Sequence, residues 1–168
     1  MKVAFHTLGC KVNQYETESM RQQFVNAGFE SVDENDFADV YIINTCTVTN
    51  LADRKSRQYI RRMKKKNPEA VVAVTGCYAQ TNKEEVAAVE GVNLVVGTNE
   101  KTNIAKYVLK YIEENRVGII EEHVLAYEQL NEFVECGTTT SMETRTRANV
   151  KIQEGCNRFC AYCIIPYA

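Results

Sequence analysis

Cysteines are the residues of this chain best suited to chemistry, and the 168-residue sequence has seven of them. An odd number of cysteines cannot all pair, and seven are too few for a disulfide-stabilised scaffold of this length. In a reducing compartment, such cysteines bind metal or take part in catalysis more often than they form disulfides. Because the chain has only two histidines, thiolates would dominate a metal site, which favours iron–sulfur clusters or zinc over magnesium or calcium. The cysteines are Cys10, Cys46, Cys77, Cys136, Cys156, Cys160 and Cys163.

Three cysteines occupy the same position relative to predicted strands. Cys10, Cys46 and Cys77, the strand-end cysteines, each follow one. In a parallel sheet the carboxyl ends of the strands share one edge, where ligands gather, so the pattern predicts a three-thiolate site. A cubane cluster normally takes four thiolates, and three would leave one iron open to another ligand. The alternative interpretation is that each is a small buried hydrophobic residue at a crowded strand end.

A second group, CNRFCAYC at 156–163, has the spacing C-x3-C-x2-C. It comprises the loop cysteines Cys156, Cys160 and Cys163, which can hold three irons of a 4Fe–4S cluster and leave the fourth for a chelating cofactor. The spacing differs from the paired C-x2-C of zinc ribbons, although local zinc binding stays the main alternative. The motif, with Tyr162 directly before its last cysteine, resembles the radical S-adenosylmethionine superfamily.

Taken together, the two cysteine groups make the chain resemble the methylthiotransferases, radical S-adenosylmethionine enzymes with an N-terminal three-cysteine domain. The matching segments contain every cysteine except Cys136. They are LGCKVNQYETE (8–18), NTCTVTNLADRKSRQ (44–58), VTGCYAQ (74–80) and TRANVKIQEGCNRFCAYCIIPYA (146–168). The segment CKVNQYE (10–16) resembles the branch that acts on threonylcarbamoyladenosine in tRNA. The isopentenyladenosine branch and the ribosomal-protein branch are the alternatives.

The resemblance implies two 4Fe–4S clusters and S-adenosylmethionine as cofactors. The cluster on the loop cysteines would reduce S-adenosylmethionine, with Tyr162 against its adenine, and the resulting radical would abstract hydrogen from C2 of the modified adenine beside the anticodon. The cluster on the strand-end cysteines would carry the sulfur and deliver it as a methylthio group. The implied partners are the tRNA anticodon stem-loop and a reductant protein such as flavodoxin or ferredoxin, with a monomeric enzyme and no membrane.

The end of the chain departs from the family pattern. Family members continue through the rest of a barrel-like radical domain and a small RNA-binding domain, whereas five residues follow Cys163 here. The Arg-Gly pair expected after IIPYA is absent. Because a radical needs a closed cavity that excludes water, we expect a fragment that can form the strand-end site but cannot turn over alone.

Apolar runs of strand length alternate with amphipathic stretches, which predicts an α/β domain with an open, mainly parallel sheet and flanking helices. Asn13 and Glu16 resemble a capping box that opens the first helix, Gly28 ends that helix, and the clearest helix is at 100–115. The predicted strands are at 2–7, 29–32, 39–44, 71–75, 93–96 and 118–121.

The sequence predicts a first domain at 1–121 and a linker or exposed hairpin at 122–148, where periodicity fades and hydroxyl residues collect. A second domain is expected to begin at 149–168 with a strand that enters the turn at Gly155. Under the family resemblance, this strand and the cysteine loop are the start of a truncated radical S-adenosylmethionine barrel.

A basic segment lies within a chain whose net charge is only −2. Of the twenty basic residues, eight fall at 54–66, where there is no Asp or Glu. A helical wheel places Ala52, Ser56, Tyr59, Ile60 and Met63 on one face and the cations on the other. Such a basic face could bind RNA phosphates, although a solvated face is as good an interpretation. The basic residues are Arg54, Lys55, Arg57, Arg61, Arg62, Lys64, Lys65 and Lys66.

Four other polar residues have simpler interpretations. His6 lies in the first strand and is expected to be packed or hydrogen-bonded rather than a metal ligand. His123 lies in a polar stretch and is expected to be exposed. Asn13 is expected to cap a helix beside Cys10, with contact to substrate as the alternative. Cys136 has no partner pattern and is expected to be a free thiol.

Composition excludes several classes of protein. The apolar share of 45% with 25% charged residues excludes a disordered or fibrous chain, and no apolar run approaches the roughly 18 residues of a membrane span. Without a signal-peptide pattern at the N-terminus, a cytoplasmic location is expected. Two competing classes are a flavodoxin-like redox or nucleotide-binding module, against which the lack of a G-x-G-x-x-G or P-loop argues, and a non-catalytic RNA-binding protein with structural zinc.

Overall fold

The computed structural model describes residues 1–46, 50–116, 118–130 and 151–168, with only the backbone at 50–53 and 127. These ranges contain a sheet of six strands: β1 (Lys2–Thr7), β2 (Glu30–Val32), β3 (Val40–Thr45), β4 (Val71–Gly76), β5 (Leu94–Val96) and β6 (Glu121–His123). The helices are α1 (Lys11–Asn26), α2 (Asn50–Lys66), α3 (Cys77–Thr81), α4 (Lys83–Ala87) and α5 (Ile104–Glu113), with short 3-10 turns at Asn99–Asn103, Tyr127–Gln129 and Ile165–Tyr167. In the part of the chain described, no helix is both long and apolar enough to cross a membrane.

The sheet has the order β2-β1-β3-β4-β5-β6, and every neighbouring pair is parallel. The predicted α/β class is therefore confirmed. The chain moves from β1 outward to β2, returns past β1 to β3, and then continues in the opposite direction. The strand order thus reverses between β1 and β3, and the crevice beyond such a reversal is where open α/β sheets bind ligands. The order of the first five strands is that of flavodoxin-like folds.

The two central strands, β3 and β4, are buried along their whole length. Their side chains point alternately to two apolar layers, as expected for parallel strands covered on both faces. One layer joins the sheet to α2, α3 and α4 through Tyr41, Ile43, Val72, Val74, Tyr59, Ile60, Met63, Ala79 and Val86. The other layer joins it to α1 and α5 through Val3, Phe5, Ile42, Ala73, Leu94, Met20, Phe24, Ile104, Val108 and Tyr111.

The start of α1 differs from the predicted capping box. Cys10 occupies the N-cap position with extended backbone, and Asn13 lies inside the first turn rather than before it. Neither Asn13 nor Glu16 caps the helix, because both side chains are buried and bond to other parts of the chain. The capping prediction for Asn13 is therefore wrong.

The predicted end of α1 is confirmed. Gly28 has a φ of +87°, and its amide donates to the Val25 carbonyl at 3.0 Å. The amide of Phe29 donates to the Phe24 carbonyl at 3.0 Å, which completes a Schellman motif. The rings of Phe24 and Phe29 pack edge to face at 5.1 Å, the apolar contact that accompanies this motif.

Other boundaries shift from the sequence prediction. The last strand is Glu121–His123 rather than 118–121, because the first backbone bond to the sheet is donated by Glu121 to the Asn93 carbonyl at 2.9 Å. The helix predicted at 100–115 begins as the 3-10 turn and becomes α-helical at Ile104. No strand forms at 151–155, where no neighbouring strand pairs with the backbone of the described residues. Residues 149–150, Cys136, most of the predicted linker and the side chain of Ala52 lie outside the described residues.

Gly76, the last residue of β4, provides a stability test. Its φ is +96°, and an added Cβ would lie 2.3 Å from the Thr45 carbonyl oxygen. Gly76→Ala should lower the free energy of unfolding by about 3 kcal/mol or more, since it combines backbone strain with a clash against backbone. Gly28→Ala is the matched control: its φ is also positive, but nothing lies within 4 Å, so a loss of about 1 kcal/mol is expected. Equal losses in urea denaturation would contradict the close approach at Gly76.

Candidate metal centre

The strand-end cysteines lie at the carboxyl ends of three adjacent strands. Cys10 follows β1 and caps α1, Cys46 directly follows β3, and Cys77 begins α3 after β4. Because β1, β3 and β4 are neighbours, the structure brings these three residues to one edge of the sheet. Cys10 and Cys46 stand on the two sides of the strand reversal. Their role as metal ligands stays a prediction.

Close packing of the backbone brings the cysteine loops together. At Gly9 an added Cβ would lie 2.7 Å from the Cβ of Cys46 and 3.1 Å from its Sγ, so the loop before Cys10 passes directly against Cys46. The clash at Gly76 shows the same closeness between the end of β4 and Thr45. Only glycine fits at these two positions, and the result is three thiols within one small region.

Asn13 joins two of the cysteine loops. Its side-chain amide donates to the Leu8 carbonyl at 3.1 Å and to the Thr45 carbonyl at 2.8 Å. Its Oδ1 accepts from the thiol of Cys10 at 3.3 Å. The side chain is 2% exposed, so its donors and acceptor have exchanged water for the protein groups of this site. The sequence pattern predicts a helix cap or a substrate contact at Asn13, and it contains no signal for this bracing role.

A second layer of hydrogen bonds extends the bracing to β4. The fully buried Asn44 donates to the Asn13 carbonyl at 2.9 Å and to the Thr17 hydroxyl at 3.1 Å. Thr45 donates its hydroxyl to the Thr75 carbonyl at 2.5 Å. The Thr75 hydroxyl is itself buried and has no hydrogen-bond partner among the described residues. This hydroxyl lies two residues before Cys77, so an unsatisfied polar group is buried close to the strand-end cysteines.

The charge environment of Cys77 favours its neutral form in the metal-free chain. Burial raises the pKa of the Cys77 thiol to about 11, and the nearby ammonium of Lys101 opposes that rise. The thiols of Cys46 and Cys10 add smaller increases in the pKa, which also reflects how near they lie. A metal that binds here must displace the proton, and a cationic centre would supply the charge that stabilises the thiolate.

A cavity of about 680 Å³ connects the two cysteine groups. Cys10 and Cys77 of the first group and Cys156 of the second all line it. Its remaining wall includes Asn13, Glu16, Thr98, Asn99, Lys101, Gln153, Glu154 and Phe159. The cavity therefore places a mixed polar and apolar space between the strand-end site and the second cysteine loop.

The loop cysteines lie on a tight turn. The amide of Cys163 donates to the Cys160 carbonyl at 2.9 Å. Phe159, the residue before Cys160, has a φ of +49°. Cys160 is exposed, whereas Cys156 and Cys163 are half-buried. The side chain of Tyr162, the predicted cofactor contact, is 93% exposed, so no other part of the described chain covers it.

The donor set of each group fits a cluster better than a single ion. All six described cysteines are free thiols, and no histidine joins either group. Among the described residues, no set of three or more His, Cys, Asp or Glu side chains converges closely enough to hold one metal ion. The thiolates of a cubane bind different irons and so stand further apart than the ligands of one zinc ion. Three thiolates in each group, with Cys10, Cys77 and Cys156 lining the cavity, are compatible with cubanes that each keep one iron open.

The basic helix α2 divides into two sets of cations. The buried face predicted from the sequence is confirmed for Ser56, Tyr59, Ile60 and Met63. Four of the cations bond locally: Arg57 to Tyr78, Arg62 to Asn35, Lys64 to the carbonyls of Pro68 and Ala70, and Lys66 to the Asn35 carbonyl. The other four are exposed and make no hydrogen bond or ion pair with the described residues: Arg54, Lys55, Arg61 and Lys65.

Both histidines lie against tyrosine rings. His6 stacks on Tyr59 with 3.7 Å between ring centroids, and its Nδ1 lies 2.7 Å from a Glu34 carboxylate oxygen, which confirms its packed, hydrogen-bonded role. The exposure predicted for His123 is wrong. Its side chain is 27% exposed because it stacks on Tyr107 and contacts Glu121, partners that the polar composition of its segment does not reveal.

The topology and the strand-end cysteines agree with a comparison against protein families. The chain belongs to the family described as "Uncharacterized protein family UPF0004", whose profile matches residues 2–97. That range runs from β1 through β5 and contains all three strand-end cysteines.

Individual relatives confirm the resemblance to methylthiotransferases. "Threonylcarbamoyladenosine tRNA methylthiotransferase MtaB" from Bacillus subtilis is 51% identical over 99% of this chain, and the protein of the same name from Aquifex aeolicus is 44% identical over all of it. A "tRNA-2-methylthio-N(6)-dimethylallyladenosine synthase" from Fervidobacterium nodosum is 33% identical over 99% of the chain. The chain spans 36%, 40% and 36% of the length of these relatives.

The burial of Cys77 predicts slow alkylation in the metal-free, reduced chain. A pKa near 11, against an ordinary value of 9.0, leaves about 100-fold less thiolate at pH 7.5 than a free cysteine has. Iodoacetamide should therefore label Cys77 about 100-fold more slowly than a cysteine peptide, and the rate should keep rising with pH up to about 11. Mass spectrometry of the labelled peptides measures both. A rate for Cys77 equal to that of the peptide would contradict the buried, neutral thiol.

Proposed function

We propose that this chain is the sulfur-donor part of a radical S-adenosylmethionine transferase that adds a 2-methylthio group to N6-threonylcarbamoyladenosine beside the tRNA anticodon. The observation that carries the proposal is the single cavity lined by Cys10, Cys77 and Cys156, since methylthiolation needs a sulfur source and a radical source facing one substrate. Identities of 51% and 44% to relatives with this named activity, against 33% to a dimethylallyladenosine synthase, favour this branch over the isopentenyladenosine branch, and the ribosomal-protein branch stays an alternative.

The proposed ligands are the strand-end cysteines for one 4Fe–4S cluster and the loop cysteines for another, with Tyr162 against S-adenosylmethionine. When bound, these cofactors would supply the electron, the radical and the sulfur. Asn13 would hold the Cys10 and Cys46 loops at a fixed separation, and the absence of a Cβ at Gly76 would let Cys77 approach them. The ammonium of Lys101 would offset the negative charge that three thiolates bring to a buried site.

The remaining expectations form part of the same proposal. The substrate partner is the tRNA anticodon stem-loop, a protein such as flavodoxin or ferredoxin supplies electrons, and the enzyme acts as a monomer in the cytoplasm. The division of the chain into a domain at 1–121, a linker at 122–148 and the start of a second domain at 149–168 also stays a prediction.

Iron analysis of single-cysteine variants tests the two proposed ligand sets. After anaerobic reconstitution, the parent chain should hold about eight irons with matching acid-labile sulfide. Cys77→Ala should lose about four of them, since a cubane held by two thiolates is poorly retained, and Cys160→Ala should lose the other four. Colorimetric iron and sulfide assays with the electronic absorption spectrum measure these losses.

The same experiment separates the alternatives. Retention of full iron in Cys77→Ala would contradict the strand-end cluster. If the chain holds zinc in place of iron, the result would favour a non-catalytic RNA-binding module. If the chain is stable but takes up no metal, the result would favour a redox or nucleotide-binding module. Asn26→Ala, at the exposed end of α1, is a control that should retain all the iron.

A further part of the proposal assigns RNA contact to the exposed cations of α2. Arg54, Arg61 and Lys65 are spaced by seven and four residues, which places them on one stripe of the helix, with Lys55 beside it. A stripe of cations without local partners can neutralise phosphates and release their counterions. The four locally bonded cations support the helix and its neighbours, so they are the weaker candidates for this role.

Charge reversal on this stripe should weaken binding of tRNA. Arg61→Glu with Lys65→Glu should reduce the affinity of the chain for tRNA about tenfold or more at 0.1 M salt and lower the slope of log K against log salt by about 1 to 2. Lys106→Glu with Lys110→Glu, on the exposed face of α5, makes the same change in net charge and serves as the control. Fluorescence anisotropy across a salt series measures both quantities. Equal effects of the two double variants would mean that only net charge matters.

A further inference from the structure

Glu16 is a buried carboxylate that binds two ammonium groups, one with each oxygen. Its Oε2 accepts from Lys101, and its Oε1 accepts from Lys151 at 3.1 Å. The side chains of Glu16 and Lys101 are each 2% exposed, and that of Lys151 is 4% exposed. The capping interpretation of Glu16 did not predict either contact.

The three residues come from distant parts of the chain. Glu16 lies on α1 between the Cys10 loop and the core, whereas Lys101 lies on the 3-10 turn after β5. Lys151 begins the described segment 151–168, which carries the loop cysteines. Lys151 also binds Glu154 at 2.7 Å, and Glu154 lines the cavity together with Glu16 and Lys101. One carboxylate thus connects α1, the wall of the strand-end site and the segment that carries the second cysteine group.

The charges of this network balance. Among the contacts described, two carboxylates, Glu16 and Glu154, bind two ammonium groups, Lys101 and Lys151, and these four charges sum to zero. Burial would raise the pKa of Glu16, but the charge and hydrogen bond of Lys101, and then those of Lys151, lower it below its ordinary value. Removing the charge of Glu16 would take a charged partner from each of two buried ammonium groups, and this favours release of the ammonium group that can reach water most easily. Lys151 is that group, because it lies outside the sheet and its helices.

We propose that Glu16 is a positioning residue that holds the segment 151–168 against the strand-end site, so that the two cysteine groups face each other across one cavity. Its contact with Lys151 fixes the segment, and its contact with Lys101 fixes the carboxylate itself. The consequence for methylthio transfer rests on the proposed function. The positioning is a property of the metal-free chain and can be tested without any cofactor.

Side-chain labelling tests whether Glu16 holds Lys151. In the reduced, metal-free chain, limited acetylation with an N-hydroxysuccinimide ester should modify Lys151 slowly and the exposed Lys65 and Lys106 quickly. In Glu16→Gln, acetylation of Lys151 should become about tenfold faster, because the buried ammonium exchanges its lost partner for water. The amides of β3 and β4 should remain protected from hydrogen exchange, which shows that the sheet is still folded. Glu18→Gln, which removes the charge of a half-buried glutamate on the same helix, is the matched control and should behave as the parent does.

Cross-linking tests whether the contact brings the cysteine groups together. A short bis-maleimide should join Cys10 to Cys156 in the parent, since both line the cavity. The yield of this cross-linked peptide should fall several-fold in Glu16→Gln and in Lys151→Met, but not in Lys106→Met. If Glu16→Gln disturbs exchange in the sheet, Lys151→Met decides the question, because it alters the segment and leaves the interior of α1 intact.

The proposal is overturned if Lys151 stays slow to acetylate in Glu16→Gln with the sheet intact, or if Lys151→Met keeps the full yield of cross-link. Neither result depends on iron. Failure of the strand-end site to bind a cluster would leave these measurements unchanged, so the positioning role and the proposed function can fail separately.

Discussion

The reversal of strand order between β1 and β3 is the constraint on which the site depends. The helices that follow β1 and β3 pack on opposite faces of the sheet, so α1 and α2 diverge and a crevice opens beyond the strand ends. Cys10 and Cys46 stand on its two sides, and Cys77 follows the next strand along. Backbone groups beside a crevice have no partners in the sheet. Asn13 supplies hydrogen bonds to two such groups, because its side chain donates to a carbonyl in each loop and keeps the two loops at a fixed separation.

The buried charges around Glu16 are costly by comparison with apolar side chains of the same volume. A buried ion pair adds little net stability, whereas loss of one partner costs about 3 to 5 kcal/mol. The pair is therefore better explained by the positions it fixes than by the stability it provides. The ammonium of Lys101 stands where it lowers the cost of ionising Cys77, and the second ammonium belongs to the segment with the other cysteines. The same carboxylate thus links the electrostatics of one site to the location of the other.

The sequence was sufficient for those features that depend on local pattern. Five strands were predicted within one residue at each end because apolar runs and their flanking turns are local signals, and Gly28 was found because a Schellman motif needs a left-handed residue. The failures are non-local. Glu16 matched a capping box by spacing, yet its partner Lys101 is 85 residues away. Residue preference assigns Asn13 to its own helix, although it bonds across to Thr45, and the tyrosine that covers the strand residue His123 comes from α5. A buried polar residue can take partners from anywhere in the fold, and spacing along one segment cannot reveal which.

The fold alone does not distinguish between the competing functions, because the same strand order serves flavin-binding and signalling proteins. What distinguishes them is the use made of glycine at the strand ends. In phosphate-binding α/β proteins, glycine at this point lets the backbone approach a phosphate group. Here the space that a Cβ would need at Gly9 is filled by Cys46, and at Gly76 by the Thr45 backbone. Glycine therefore lets the cysteine loops pack against one another, and Cys10 and Cys77 line the cavity beside them. This use of glycine agrees with the proposed thiolate-bound cluster rather than with the alternative of a nucleotide site.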